Sequence, residues 1–400
     1  MSNKWTEDKL IEFEDSIVSL YEDCKLPFLF HLSGGNEDQL IEIFEHIDDD
    51  DYVLSNHRSH YHALLHGISP HDLTEMILNG RSMFVYDRGK NFFSSAIIGG
   101  TPGIAVGIAW ALKRKESNQK VWCFVGDATE DSGHLAEAVR YVDGWDLPCK
   151  FIIESNDISV EASNKERWNN TADIKWNSPS VIKYHYNIAY PHARKPGIVD
   201  LSKTKIKSDE EYFPVVHNDN LNIKTEPVKC GLTYKQSLAL SMNKLADKGA
   251  IFIGYNVTHG NAMGALDNVP DEQKLETPVA ENLMTGLAIG MSFEGFRPVL
   301  YFERHDFMLV AADAIGNHMS AIERISHGQY KVPVIIRAVV ADGGPFYSGP
   351  THSQDFTNLF KELVGFPVLD PQDADEMVAA YDYAASASHP VMIVDRKSRM

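Results

Sequence analysis

Val121-Trp-Cys-Phe-Val-Gly-Asp-Ala-Thr-Glu-Asp-Ser-Gly133 and Cys149-Lys-Phe-Ile-Ile-Glu-Ser-Asn-Asp-Ile-Ser159 are the stretches that decide the fold. Each opens with a near-continuously apolar run of strand length, Val121–Val125 and Cys149–Ile153. Strands apolar on both faces belong to a parallel sheet covered by helices. Between them, Ser132–Tyr141 carries the Ala/Glu/Leu pattern of a helix, so the segment reads as a βαβ unit. Asp127 ends the first strand and Asn156 ends the second, 29 positions later. In a parallel pair both strand C-termini fall on one edge of the sheet, where ligands of such sheets bind.

An Asp carboxylate, an Asn amide oxygen and a nearby backbone carbonyl are hard oxygen donors. They suit Mg²⁺, which usually keeps substrate phosphate oxygens in its remaining positions. The amides of Ala128 and Thr129, at the turn that follows Gly126, are placed to take a phosphate oxygen. The same residues also make an ordinary turn and cap, since Gly-Asp favours turns and Asn favours caps. The spacing alone leaves both readings open.

Working outward, 37 basic residues against 56 acidic ones give a net charge of −19. That field argues against a nucleic-acid partner. A phosphate-bearing ligand then needs local cations, helix N-termini or a divalent metal. The 400 residues are 44% hydrophobic and 23% charged, which excludes disorder as the dominant state and supplies core for two or three domains. No apolar run reaches the ~18 residues of a membrane span. Met1–Asp8 lacks the apolar segment of a signal peptide. Cys24, Cys123, Cys149 and Cys230 show no CxxC spacing, so neither a zinc site nor a disulfide framework is expected, and a reducing, cytoplasmic setting fits.

Apolar positions at helical spacing (Leu10, Ile11, Phe13, Ile17, Val18, Tyr21) predict an entry helix over 8–24. From Glu161 to Lys229 the chain is polar with little regular period, and 200–230 reads as a linker. From Gly231 a second α/β pattern begins. A helix is expected over Thr233–Leu245, with strands at Ile251–Tyr255, Val299–Phe302, Val334–Val339, Phe366–Leu369 and Val391–Val394. The chain is therefore expected to be α/β, with one domain over 1–199 and another over 231–400. The small-residue segments Thr101–Ala109 and Thr285–Ser292 echo each other, either by chance or because the architecture is duplicated.

Gly126-Asp127 with Asn156 resembles the thiamine-diphosphate motif, in which Gly-Asp-Gly runs on to Asn. Further segments carry the likeness in the first half: Phe30-His31-Leu32-Ser33, Asn56-His57-Arg58-Ser59-His60-Tyr61-His62, Gly80–Met83, Ala96–Gly99 and Trp145–Pro148. In the second half they are Thr277-Pro-Val-Ala-Glu281-Asn282, Glu294–Pro298, Phe307 with Ala311-Ala-Asp313, Lys331–Pro333 and Thr351-His352-Ser-Gln-Asp355. Together these resemble the decarboxylating component of 2-oxo acid dehydrogenase complexes, its α chain over about 8–160 and its β chain over about 231–395, some four fifths of the sequence.

The resemblance implies two thiamine-diphosphate-binding-type domains, each a mostly parallel sheet flanked by helices. It implies that Asp127, Asn156 and the carbonyl of Ile158 hold Mg²⁺, and that Arg58 binds the diphosphate, a task that suits a guanidinium fork. Ile98 would meet the aminopyrimidine, and His31 and His57 would face the reacting end of the cofactor. Glu281 takes the place of the family's cofactor-activating glutamate, Phe307 that of the aromatic on the pyrimidine ring, and His352 that of an active-site histidine. In the family the two halves of each site come from different chains or domains, so a head-to-tail homodimer or larger assembly is expected.

Four departures stand out. Ala128 replaces the motif's third Gly, and Ser155 the first of two Asn. The family's later α-chain loop survives only as Ala189-Tyr-Pro-His192-Ala-Arg194, which makes His192 a candidate. The chain stops at Met400, before the β chain's C-terminal domain, which contributes to docking on the acyltransferase core. Glu303-Arg304-His305-Asp306 brings charge where the family is neutral; these groups either face the pocket, implying a polar or phosphorylated substrate, or pair with one another. Among His57, His60, His62 and His66, cofactor-site roles are expected for His57 and His62 rather than a zinc cluster.

The expected function is decarboxylation of a 2-oxo acid with transfer of the acyl unit to a lipoyl carrier. The alternative is a carboligase of the transketolase or deoxyxylulose-phosphate-synthase type, passing a two-carbon unit to an aldehyde; Gly349-Pro-Thr-His352 resembles the synthase as well. A catalytically dead homologue is disfavoured by the intact Asp127, Asn156, Glu281 and His352.

Overall fold

Strand β1 (Tyr52–Ser55) lies at the centre of the first sheet. It is followed in the chain by β2 (Tyr86–Asp87), β3 (Phe92–Ser94), β4 (Val121–Gly126) and β5 (Cys149–Ser155). A small hairpin, β6 (Ile158–Ser159) with β7 (Ala162–Ser163), precedes β8 (Val181–His185). The sheet order is β2-β3-β1-β4-β5-β8, parallel throughout except for β2 with β3. The computed structural model describes residues 5–26, 30–159, 161–169, 173–190, 207–214, 225–227, 229–343 and 349–400. It divides into one unit of Met1–Pro214 with Ile325–Gln329 and a second of Val215–Arg324 with Tyr330–Met400.

In the first unit, the βαβ reading of 121–155 holds, and the apolar runs explain why. Every residue of β4 from Val121 to Val125 is buried, and β5 is buried except at Lys150. The entry helix Glu7–Glu22 is capped by Thr6, whose side chain accepts from the Lys9 amide. It buries Leu10, Phe13, Ile17 and Val18, the i, i+3, i+7, i+8 stripe expected of an amphipathic helix, in one cluster with Trp122, Phe124 and Ile152. Cys123 and Cys149 are core thiols, and burial pushes Cys123 up to about 12.

Strand β8 corrects the reading of 161–229 as a stretch without period. Its burial pattern shows no clean alternation and none of its residues is fully buried, as fits an edge strand against β5. The expected linker 200–230 is described only in part, and that part includes a short helix, Asp209–Tyr212, capped by Ser208. His192 and Arg194 lie outside the described residues.

The second unit holds β9 (Ile251–Gly254), β10 (Lys274–Glu276), β11 (Pro298–Phe302), β12 (Ile335–Val340), β13 (Val368–Leu369) and β14 (Val391–Arg396). Their order is β10-β9-β11-β12-β14-β13, all parallel. Helices Tyr234–Asp247 and Ala374–Ala384 pack together over one core that includes Phe252, Val299, Ile335 and Ile393. The two sheets share a local order: β3-β1-β4-β5 matches β10-β9-β11-β12. In each, the chain leaves the outer strand through a helix of small residues and returns on the far side of the central one. Those helices are Gly100–Arg114 and Glu281–Phe293, the second buried along its whole length. The echo between Thr101–Ala109 and Thr285–Ser292 thus marks equivalent places in two like topologies.

Two buried histidines should make the second unit acid-sensitive. His305 and His318 are buried, and burial pushes both pKa values down to about 4. His305 accepts from the Phe356 amide at Nδ1 (3.2 Å), a bond that the neutral ring makes. Unfolded histidines titrate near ~6.5. Between those values the unfolded chain binds more protons than the folded one, so stability rises with pH and is lost as pH falls through this window. The loss is at most about 3 kcal/mol for each histidine. Denaturant titrations from neutral pH to about pH 4.5 should show it, and His305→Gln should flatten the slope.

Candidate active site

All strands of the first sheet that matter chemically end on one edge. Asn56-His57-Arg58 follows β1, Ser95–Gly99 follows β3, Asp127 follows β4, Asn156 follows β5 and Tyr186 follows β8. The strand order reverses at β1, between β3 and β4, which is where a crevice opens in such sheets. A cavity of about 580 Å³ lies there, lined by His31, Asn56, His57, Arg58, His62, Ile98, Gly126, Asp127, Ala128, Thr129, Glu154, Asn156, Ile158 and Tyr186, among others. That is within the ~300–1,000 Å³ of small-molecule sites.

Asp127 is buried at the head of this edge. Its Oδ1 accepts from Ser155 Oγ (2.8 Å) and its Oδ2 from the Asn156 amide (2.8 Å). Asn156 in turn accepts at Oδ1 from the Ile158 amide (3.0 Å) and donates through Nδ2 to Tyr186 Oη (3.0 Å). Asp157 between them has φ of 61°, so the chain turns back here and β6 begins directly after. A carboxylate has about four acceptor positions and an amide oxygen two. With these contacts each oxygen keeps a lone pair for a cation, and the donor set is of the hard-oxygen kind that Mg²⁺ takes. The residues therefore fit a divalent metal. Burial, with Glu154 and Asp127 nearby, pushes the Tyr186 phenol up to about 12, so it stays protonated.

Arg58 supplies the cation. Its Nη1 donates to the Leu32 carbonyl, its backbone amide donates to Asn56 Oδ1 (2.8 Å), and its carbonyl accepts from Ser33 Oγ (3.2 Å). Burial lowers its pKa from the usual arginine value, opposed by the fields of Tyr186, Glu14 and Glu154. His31 and His57 meet edge to face with ring centres 4.5 Å apart. Thr129 Oγ1 accepts from the Gly99 amide (3.2 Å), which joins the turn after β4 to the start of the Gly100–Arg114 helix. Ile98, next to it, is 44% exposed.

His62 lines the cavity but is fully engaged. Its Nδ1 meets Ser55 Oγ (2.7 Å), its Nε2 meets Glu154 Oε1 (3.1 Å), and its ring stacks on Phe124 at 4.3 Å. His60 is buried between Glu14 Oε1 and Ser82 Oγ, 3.0 Å from each, and His66 contacts the Asp51 carbonyl at 3.1 Å. Among the described residues no group of three or more His, Cys, Asp or Glu is arranged to hold a metal.

The second unit gathers Glu281, Tyr255, Phe307 and His352. Glu281 is the buried first residue of its helix, and its Oε1 accepts from Tyr255 Oη (3.3 Å). The Tyr255 ring lies 6.4 Å from Phe307, and Phe307 meets His352 edge to face at 5.3 Å. Burial, with Glu281 next, raises the Tyr255 pKa far above its usual value. The charged run pairs internally and with its neighbours: Arg304 with Glu303 at 3.5 Å, Asp306 with Gln354, and His305 with the Phe356 amide.

The sequence reading missed Tyr255, Glu154, Asn36, Asn56, Tyr184 and Tyr186. One signal was present: Tyr184 and Tyr186 stand two apart, as same-face residues of a strand do, and Tyr184 sits opposite Glu154 in the ladder.

The first unit is a parallel α/β fold with a carboxylate, an arginine and paired histidines at one strand edge, and the second unit repeats the topology and carries a buried glutamate. Residues 6–175 match the dehydrogenase E1 component family, and residues 231–400 match the transketolase pyrimidine-binding domain. Together the two matches cover most of the chain, its first half resembling E1 components and its second half transketolase-type pyrimidine domains. It is similar to the α subunit of an acetoin:2,6-dichlorophenolindophenol oxidoreductase from Bacillus subtilis, 29% identical over 38% of this chain and 50% of that one. It is also similar to the mitochondrial pyruvate dehydrogenase E1 component subunit beta-2 of Oryza sativa, 28% identical over 42% of this chain and 46% of the relative. The chain thus spans about half the length of the curated relatives it matches. Transketolase from Campylobacter jejuni shares the fold, with a TM-score of 0.68 at 16% identity over 97% of this chain and 78% of that one. No helix among the described residues is long and apolar enough to cross a membrane.

Proposed function

We propose that this chain binds thiamine diphosphate with Mg²⁺ and decarboxylates a 2-oxo acid, passing on the acyl or aldehyde unit as E1 components do. The observation that carries the reading is the meeting of Arg58, Asp127 and Asn156 in one cavity at the strand edge of an E1-type domain. Asp127, Asn156 and the Ile158 carbonyl would hold the metal, and the Arg58 fork the diphosphate, with the Ala128 and Thr129 amides beside it. Bound there, the cofactor supplies a nucleophilic carbon and an electron sink. Ile98 offers apolar surface to its pyrimidine end. In the second unit Glu281 holds and returns a proton, kept in place by the Tyr255 hydroxyl, and Phe307 gives the ring a face to lie on. His31, His57 and His352 steady and protonate the oxygen that gains charge.

A carboligase of the transketolase type is the second reading, favoured by the match of residues 231–400 to the transketolase pyrimidine-binding domain. The pairing of Glu303 with Arg304 and of His305 and Asp306 with residues 354–356 weakens one support for a phosphorylated substrate. A homodimer or larger assembly in a reducing cytoplasm completes the proposal. Purified chain with thiamine diphosphate and Mg²⁺ should be given pyruvate and related 2-oxo acids, with and without glyceraldehyde 3-phosphate. Carbon dioxide release that requires an electron acceptor or lipoyl carrier is the expected outcome. Release with a new carbon–carbon bond would make it the carboligase, and no release from a cofactor-loaded chain would overturn the decarboxylase reading.

A further inference from the structure

We infer that Glu154, to which none of the motifs discussed above gives a role, is a positioning residue that sets the Arg58 loop for diphosphate through Asn56. The inference rests on the cofactor reading just proposed and adds a residue to it. Glu154 is the penultimate residue of β5, 5% exposed, and it lines the same cavity as Arg58. Its Oε1 accepts from Tyr184 Oη (2.7 Å) and Asn36 Nδ2 (3.0 Å) and meets His62 Nε2 at 3.1 Å. Its Oε2 accepts from Asn56 Nδ2 (3.2 Å). A carboxylate can only accept, so His62 carries its proton on Nε2 and its Nδ1 accepts from Ser55 Oγ. Four donors from three separate chain segments thus converge on one buried carboxylate.

These contacts fill most of the carboxylate's acceptor positions and hold the group in one orientation. Its field also favours the charged form of Arg58. The consequence for the site runs through Asn56. With Nδ2 committed to Glu154, the amide oxygen is turned to the Arg58 backbone amide, which it accepts at 2.8 Å. Asn56 is the first residue after β1, so the loop carrying His57 and Arg58 is fixed from its first residue onwards. Outer contacts of this kind hold a binding side chain in its productive place before ligand arrives.

A residue that merely holds the fold together would move stability alone. A positioning residue also moves diphosphate affinity in the chain that stays folded, and its effect overlaps with that of its relay. The test is calorimetry on the full chain with Mg²⁺ and either inorganic pyrophosphate or thiamine diphosphate. Glu154→Gln, Asn56→Ala and the double variant are compared, and thermal melts run alongside. Gln presents an NH₂ to donors that need an acceptor, so Glu154→Gln should weaken pyrophosphate binding about 10- to 100-fold, the usual cost of losing an outer-shell partner. The double variant should be no more than about threefold worse than the poorer single one, because both break one chain of contacts. Unchanged affinity in folded Glu154→Gln, or losses that multiply, would overturn the inference. If Glu154→Gln does not fold, Asn56→Ala still cuts the relay, and normal pyrophosphate affinity in that variant would overturn it equally. A wild-type chain that binds pyrophosphate but not thiamine diphosphate would sink the cofactor reading while leaving this test intact. A wild-type chain that binds neither would overturn both.

Discussion

Glu281→Gln should lower turnover by about 10²- to 10⁴-fold, the range supplied by a positioned proton donor or acceptor, with cofactor affinity almost unchanged. The substitution keeps the shape of the side chain, and its amide oxygen still accepts from Tyr255 Oη, the contact now seen at 3.3 Å. What it removes is the ability to take and release a proton. Glu281 also loses its charge at the first residue of the Glu281–Phe293 helix, worth roughly 0.3–1 kcal/mol at a helix N-terminus, too little to unfold the unit. Steady-state rates and a cofactor titration on the same preparation separate the two effects. A variant with the wild-type rate would refute the role given to Glu281. One with lost affinity and a proportionate rate would turn it into a binding residue.

How far the sequence carried this reading depends on what each segment buries. Strands β4, β5, β11, β12 and β14 are buried on both faces, so their apolar runs announced them within a residue or two. Strand β8 did not announce itself, because an edge strand with Ile182 and His185 exposed and Lys183 drawn into ion pairs has no hydrophobic pattern to read. Strands β2 and β10, of two and three residues, are too short to show a period. In the candidate site, residues whose chemistry is tied to a strand end, such as Asp127 and Asn156, could be placed from spacing. Arg58, His31 and Glu281 came from the resemblance alone. Glu154, Tyr184 and Asn36 were invisible to both routes: the groups they touch lie 30 to 148 positions away in the chain. Long-range polar contacts of that kind have no local signature.

Asp127→Ala should weaken binding of the magnesium–cofactor complex by about 10²-fold or more, since loss of even an outer-shell partner costs 10- to 100-fold. The alanine variant also leaves Ser155 Oγ and the Asn156 amide without the acceptors they have now. Each buried donor stranded this way costs about 1–3 kcal/mol, so a fall in melting temperature is expected with the fall in affinity. Asp127→Asn separates the two. Its amide oxygen can still accept from one of the donors, so most of the stability is retained, but the anionic ligand is gone and metal-dependent affinity should drop nearly as far. The same titrations with Mg²⁺ removed by EDTA supply the reference: wild-type chain without metal should bind the cofactor about as weakly as Asp127→Asn binds it with metal. If Asp127→Asn binds as the wild type does, or if EDTA has no effect on the wild-type chain, Asp127 is a turn residue that caps the end of β4, the reading that its Gly-Asp sequence also allowed.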